Sequence, residues 1–317
     1  MPMAPADKLK TAVVTPFGLY VFNQLPFGLR NAAQSFQRMM HQVLNGLPFI
    51  FKYLDDILVA SPDRETHLLH LKQVFERFHE NGLALNIEKC IFLQSEIEFL
   101  GHSVTQSGIK PLVSKVKDLL DFPLPSCKKS LQRFLGMINF YRRFIPKAAL
   151  HLAPFSDLLK QKEDKIELND ILLTNFTQVK QALADATELH HPDADAPLVV
   201  HCDASDTHVG AAIHQVTCKF GNQPISFFSA KLNSTEKKYS TFDKELLAIF
   251  KTLRHFRFLL EGCIFKIYTD HKPLIHAVMR ISDPWSARQQ RQLKFISEFN
   301  CTLKYVSGSE HVIADFF

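Results

Sequence analysis

Two aspartates stand side by side in Tyr53-Leu54-Asp55-Asp56, inside the apolar run Phe49 to Ala60. Charge in such a run is costly unless a cation neutralises it, and the strand-forming flanks predict a β-hairpin whose turn lifts both acids out of the sheet. Oxygen-only ligands suit Mg²⁺, which keeps several waters and commonly joins one or two carboxylates to substrate phosphates. An ordinary hairpin turn, in which Asp is favoured, accounts for the same pair. Four more acids sit at element boundaries in the second half: Asp203 in Cys202-Asp203-Ala204-Ser205, Glu245 in Lys244-Glu245-Leu246-Leu247-Ala248, Asp270 in Tyr268-Thr269-Asp270-His271 and Asp315 in Ile313-Ala314-Asp315. Asp203 and Asp270 each follow an apolar strand, and carboxylates at neighbouring strand ends can converge on a metal pair. Glu245 shares a helical face with Phe242 and Ile249, so it is a charge on an apolar stripe and calls for a partner. Taken singly, each acid reads more readily as a strand-end turn residue or a helix-surface charge than as a metal ligand.

The elements that must position these acids follow from periodicity and breakers. Thr11 to Leu29 is strand-rich and broken by Pro16, Gly18, Pro26 and Gly28, which predicts a hairpin and a turn. Asn31 caps a helix with Phe36, Met39, Met40, Val43 and Leu44 on one face, ended by Gly46 and Pro48. After the Asp-Asp hairpin, a second helix is expected from Arg64 to Glu80, with Asn81-Gly82 as its stop. Strands are expected at Leu83 to Asn86 and Glu98 to Val104. Ser130 to Leu159 reads as two amphipathic helices broken near Pro146, and the polar stretch Glu188 to Pro197 as a linker. Beyond it the pattern is β-β-β-α-β-α-β: strands Leu198 to Cys202, Gly210 to Val216 and Pro224 to Ala230, helix Thr241 to Leu260, strand Ile264 to Thr269, helix Pro284 to Phe299 and strand Thr302 to Val306. That order suits an α/β domain with a mixed sheet.

Tyr53-Leu54-Asp55-Asp56 follows Leu25-Pro26-Phe27-Gly28-Leu29-Arg30-Asn31-Ala32 and precedes Phe99-Leu100-Gly101-His102. In order and spacing these segments resemble the reverse transcriptase of gypsy-type LTR retrotransposons, and the resemblance runs on through the ribonuclease H region over essentially the whole chain. It implies an α+β and α/β fold: the partial palm and helical thumb of a right-hand polymerase, followed by a ribonuclease H-like mixed-sheet domain. The expected limits are 1–125 for the palm, 126–187 for the thumb or connection, 188–197 for the linker and 198–317 for the ribonuclease H-like domain. Asp55 and Asp56 would be catalytic metal ligands of the palm. Phe27, Gly28 and Tyr53 would lie at the nucleotide pocket, and Lys89, in Asn86-Ile87-Glu88-Lys89-Cys90, would protonate the leaving pyrophosphate. Asp203, Glu245, Asp270 and Asp315 match the family's ribonuclease H acids. They would hold two Mg²⁺ ions, Mn²⁺ being the alternative, about 4 Å apart to cleave an RNA phosphodiester. Partners implied are RNA/DNA hybrid, primer-template and deoxynucleoside triphosphates, with a homodimer as a further assembly.

The family's first catalytic aspartate and most of its fingers precede the segment with which this chain begins, and Asp7 lies in a polar lead-in that does not replace it. Polymerisation by this chain alone is therefore expected to be weak, and Asp315, near the last residue, is expected to be the weakest ligand. The alternative from another class is a non-catalytic nucleic-acid-binding remnant or a host-repurposed protein. His67 and His70 fit a solvated helix face better than a zinc site, since no further ligands stand at zinc spacing. The 317 residues allow two or three domains, and 46% hydrophobic content with 28 Phe supplies ample core. A net charge of +5 favours an anionic partner. The six cysteines, Cys90, Cys127, Cys202, Cys218, Cys263 and Cys301, lie far apart with no Cys-x-x-Cys spacing, which indicates neither a zinc knuckle nor a disulfide framework. Without a membrane-length apolar run or a signal-peptide pattern, an intracellular place, cytoplasm or nucleus, is expected.

Overall fold

Two small hairpins and two long helices make up most of Met1–Leu100, the first of two units in the computed structural model. The structure describes residues 1–161, 163–167, 169–217, 221–279 and 285–307. After a one-turn helix α1 (Pro5–Lys8), strands β1 (Val13–Thr15) and β2 (Gly18–Tyr20) pair antiparallel. Helix α2 (Ala32–Val43) starts after Asn31, as its sequence suggests. Strands β3 (Ile50–Tyr53) and β4 (Asp56–Val59) form the expected Asp-Asp hairpin. Helix α3 (Arg64–Glu80) is capped by Asp63, whose Oδ1 accepts the Thr66 N–H at 2.8 Å. The unit's core joins Met40, Val43 and Leu44 to Val74 and Phe78 of α3.

Two strand expectations fail here. Leu83 to Asn86 is not a strand; the Asn86 side chain accepts the Glu88 N–H at 3.1 Å and draws Ile87–Lys89 into a 3₁₀ turn. The run Glu98 to Val104 is not one strand but parts of two, β5 (Glu96–Phe99) and β6 (His102–Thr105). Leu100 and Gly101 interrupt it at φ 45° and 76°, a left-handed conformation that no strand continues through.

The second unit, Gly101–Phe317, opens with β6, then β7 (Gly108–Pro111) and the helices α4 (Val113–Leu120), α5 (Lys128–Phe140), α6 (Ala148–Leu158) and α7 (Asp170–Ala184). The break between α5 and α6 falls at the 3₁₀ turn Arg142–Phe144 and at Lys147, whose φ is 53°. Phe134, Ile138, Phe144 and Phe155 pack with Phe176, Val179 and Leu183 into one core. Within the expected linker, β8 (Leu189–His190) pairs antiparallel with β7, and Leu189 is fully buried.

The remaining elements are β9 (Leu198–Ala204), β10 (His208–Thr217), β11 (Gly221–Lys231), α8 (Thr241–His255), α9 (Arg257–Leu260), β12 (Phe265–Thr269), α10 (Lys272–Met279), α11 (Ala287–Ile296) and β13 (Cys301–Tyr305). Their sheet runs β11-β10-β9-β12-β13. β9, β10 and β11 are antiparallel neighbours, whereas β12 is parallel to both β9 and β13, so the sheet is mixed as expected. Val200, Ile213 and Ile267 on one face pack with Leu246, Ile249 and Leu253 of α8. This contact fixes the helix that carries Glu245. The helix expected over Thr241 to Leu260 is two, parted at Phe256, and α10 had no counterpart in the sequence reading. The helix expected from Pro284 is described from its Ser286 cap onward, and Pro284 lies outside the described residues. Among the described residues no helix is long and apolar enough to cross a membrane.

Candidate metal centre

Asp203 stands one residue before the end of β9, and Asp270 directly follows β12. These strands are parallel neighbours in register from Phe265 opposite Leu198 to Tyr268 opposite His201, and the same offset sets Asp270 opposite Asp203. Helix α8 packs on β9 and brings Glu245 to them. One carboxylate oxygen from each of the three lies within 4.8 Å of the others. Asp270 is exposed, Asp203 half-buried and Glu245 only 3% exposed.

The backbone N–H of Ala204 is shared by two of the acids, reaching Asp203 Oδ1 at 2.8 Å and Glu245 Oε1 at 3.1 Å. Glu245 Oε2 is buried and, among the described residues, has no hydrogen-bond partner. Burial, and after it the neighbouring Asp203 and Asp270 carboxylates, push the Glu245 carboxyl up to about 8. A buried anion crowded by two others is unfavourable unless a cation joins it. The donors are all carboxylate oxygens and one is unpaired, so these residues fit a hard divalent cation.

An aromatic group borders the site. Phe242, one helical turn before Glu245, meets His271 edge-on at 5.8 Å and lies parallel to Trp285 at 5.5 Å between ring centroids. Asp315, expected as the fourth ligand, lies outside the described residues.

In the first unit Asp55 and Asp56 are both exposed, at the tip of the β3–β4 hairpin where Leu54 takes φ 52°. Tyr53 pairs with Asp56 across the turn and is half-exposed. Among the described residues the only metal-sized group of three or more acids, histidines or cysteines is Asp203, Glu245 and Asp270, so no third carboxylate joins the hairpin pair. Phe27 is fully exposed beside Gly28, whose φ is 88°. Lys89 is exposed and ends the 3₁₀ turn, not a lead-in to a strand.

One residue that sequence reasoning missed is Gln37 on α2. Its Oε1 accepts the Leu54 N–H, and its Nε2 donates to the Lys52 carbonyl at 3.1 Å, so it pins the left-handed turn that carries Asp55. His67 and His70 are engaged by the Ser61 hydroxyl at 3.0 and 2.8 Å, and His70 stacks on Phe49. These contacts account for both rings without a metal.

Residues 1–104 match the family described as reverse transcriptase (RNA-dependent DNA polymerase), and residues 169–267 match the RNase H-like domain found in reverse transcriptase. The Tf2-3 transposon polyprotein of Schizosaccharomyces pombe is 33% identical over 313 residues, which are 98% of this chain and 23% of that polyprotein. The retrovirus-related Pol polyprotein from transposon opus of Drosophila melanogaster is 36% identical over 326 residues, 99% of this chain and 32% of its own length. The chain thus spans between 23% and 32% of these two relatives. A solved foamy viral protease-reverse transcriptase, in complex with RNA/DNA hybrid, has a TM-score of 0.83 at 25% identity, covering 97% of this chain and 42% of that one.

Proposed function

Because the chain belongs to the reverse transcriptase and ribonuclease H family of LTR retrotransposons, we propose that Asp203, Glu245 and Asp270 form a ribonuclease H centre, binding Mg²⁺, or Mn²⁺ in its place, and cleaving the RNA of an RNA/DNA hybrid. The observation that carries this reading is the convergence of the three carboxylates within 4.8 Å, one of them buried with an oxygen that has no partner among the described residues. That arrangement speaks against a non-catalytic binding remnant, because an idle surface does not need to bury a third carboxylate against two others.

Asp203 and Asp270 would hold the cation from two adjoining strand ends. Glu245 is anchored through Oε1 on the Ala204 N–H, which leaves Oε2 to the site. The chemistry that a divalent pair supplies when bound is activation of water and stabilisation of the departing oxygen of the phosphodiester. Hybrid is distinguished by its shape and 2′-hydroxyls, since hydrolysis needs no base sequence. Asp315 is the fourth ligand in this proposal.

The same proposal gives Asp55 and Asp56 to metal binding in DNA synthesis, with Phe27, Gly28, Tyr53 and Lys89 around the deoxynucleoside triphosphate and Lys89 as proton donor to pyrophosphate. Hybrid cleavage is the better supported of the two activities, since the hairpin pair has no third carboxylate among the described residues. The compartment that suits this chemistry is intracellular.

The test is cleavage of an end-labelled RNA/DNA hybrid with Mg²⁺. Asp203→Asn and Glu245→Gln should each lower the initial rate by orders of magnitude, and chelation should abolish it. Cleavage at the parent rate by Asp203→Asn would remove the assignment.

A further inference from the structure

The second unit has a half-open cavity of about 890 Å³ bordered by the α5–α6 turn, α6, β8, β11 and α9. That size lies in the range of small-molecule sites, about 300–1,000 Å³. Its wall carries Arg142, Arg143, Lys231 and three histidines, but, among the described residues, no Asp or Glu. Lys231 already has a counter-ion, for Asp157 Oδ2 lies 2.6 Å from its Nζ. The two arginines do not. Among the described residues neither meets a carboxylate: Arg142 Nη2 donates to the Ser229 carbonyl at 2.6 Å, and Arg143 Nη2 donates to His102 Nε2 at 3.3 Å.

Both guanidiniums lie in a partly desolvated wall and, among the described residues, lack the anion that ordinarily offsets such burial. Burial holds Arg142 below its usual pKa, and His255 is held down by burial and then by the Arg142 charge. The deficit is therefore one of negative charge. Planar guanidiniums match phosphate oxygens bidentately, which lysine does not. Beside them the wall is aromatic, with Phe140, Phe227 and, at the rim, the 78% exposed Phe258. Flat apolar surface next to paired cations suits a ligand with a flat ring at one end and a phosphate at the other.

We propose that this cavity is a nucleotide site, with Arg142 and Arg143 on the phosphate and the phenylalanine wall on the base. The nucleotide is either free or the terminal unit of a bound strand, and the phosphate chemistry is the same for both. The site uses none of the three carboxylates and needs no metal, so its failure leaves the hydrolytic reading standing, and the reverse.

The experiment is calorimetric titration of the full chain in chelator with deoxyadenosine monophosphate and with inorganic phosphate. The nucleotide should bind more tightly than phosphate. Arg142→Gln with Arg143→Gln should weaken both at least tenfold, Arg142→Lys should retain part of the affinity, and Asp203→Asn should bind as the parent does. Phe258→Ala, an exposed change that leaves the core intact, should weaken the nucleotide and spare phosphate; it decides the matter if the double variant does not fold. Repeating the titration with hybrid present assigns the source, since competition means a strand terminus and independence a free nucleotide. No heat with either probe, or nucleotide affinity within twofold of the parent in both the arginine and Phe258 variants, would overturn the proposal.

Discussion

Glu245 sits between α8 and β9 with one oxygen on the Ala204 N–H and the other without a partner among the described residues, and burial beside two carboxylates lifts its pKa to about 8. A carboxyl whose folded pKa exceeds its unfolded value binds its proton more tightly when folded. The metal-free protein therefore has this stability in full below about pH 4.5 and loses it as pH climbs toward 8. The loss is on the order of several kcal/mol, at about 1.4 kcal/mol per unit. Metal-free protein should melt lower at pH 8 than at pH 5.5, and Mg²⁺ should restore more at pH 8, while Glu245→Gln should flatten both differences. A parent-minus-variant melting profile with no slope would show that the site does not hold its proton in this way. At this scale the acids themselves were legible, because a charge bounding or interrupting an apolar element is visible in sequence. Gln37 was not. Its partners are backbone groups of Lys52 and Leu54, which carry no side-chain signal.

Elements were legible where their ends announce themselves. Helix α3 runs from Arg64 to Glu80 as its pattern indicates, since Asp63 caps the start and Asn81-Gly82 reverses the chain at the end. Asp63→Ala should destabilise the chain, read as a lower urea midpoint at unchanged slope. An unchanged midpoint would mean the cap contributes nothing. The pairing of β7 with β8 was not legible, because Leu189-His190 is too short to show alternation and lies in a polar stretch. It depends on a glycine: a Cβ on Gly108 would run into the Leu189 carbonyl oxygen, whereas one on Gly136 in α5 would meet nothing within 4 Å. Gly108→Ala should therefore destabilise by about 1–3 kcal/mol, and Gly136→Ala should stabilise by about 0.5–1 kcal/mol through helix propensity and chain entropy. Thermal melts of the two variants should move in opposite directions, and a shared sign would refute the contrast. The reversal at Leu100-Gly101 was hidden for a related reason: Leu100 is an apolar residue in left-handed backbone, which periodicity takes for strand.

For the whole molecule, a net charge of +5 is a modest excess spread over 317 residues. It supplies attraction to phosphate without sequence preference. Hybrid affinity, measured by filter binding, should fall steadily as salt is raised from about 50 to 200 mM, because each Lys or Arg that contacts phosphate displaces condensed counter-ions. Asp203→Asn should leave that slope unchanged, which separates binding from cleavage. Affinity indifferent to salt would mean that phosphate contacts do not govern association. The chain also holds a single tryptophan, Trp285, whose ring lies parallel to Phe242 one helical turn before Glu245. All indole emission of the molecule therefore originates beside the carboxylates. A cation or a strand arriving there should change the polarity around that ring, so occupancy of the proposed centre should be readable in tryptophan emission without a label.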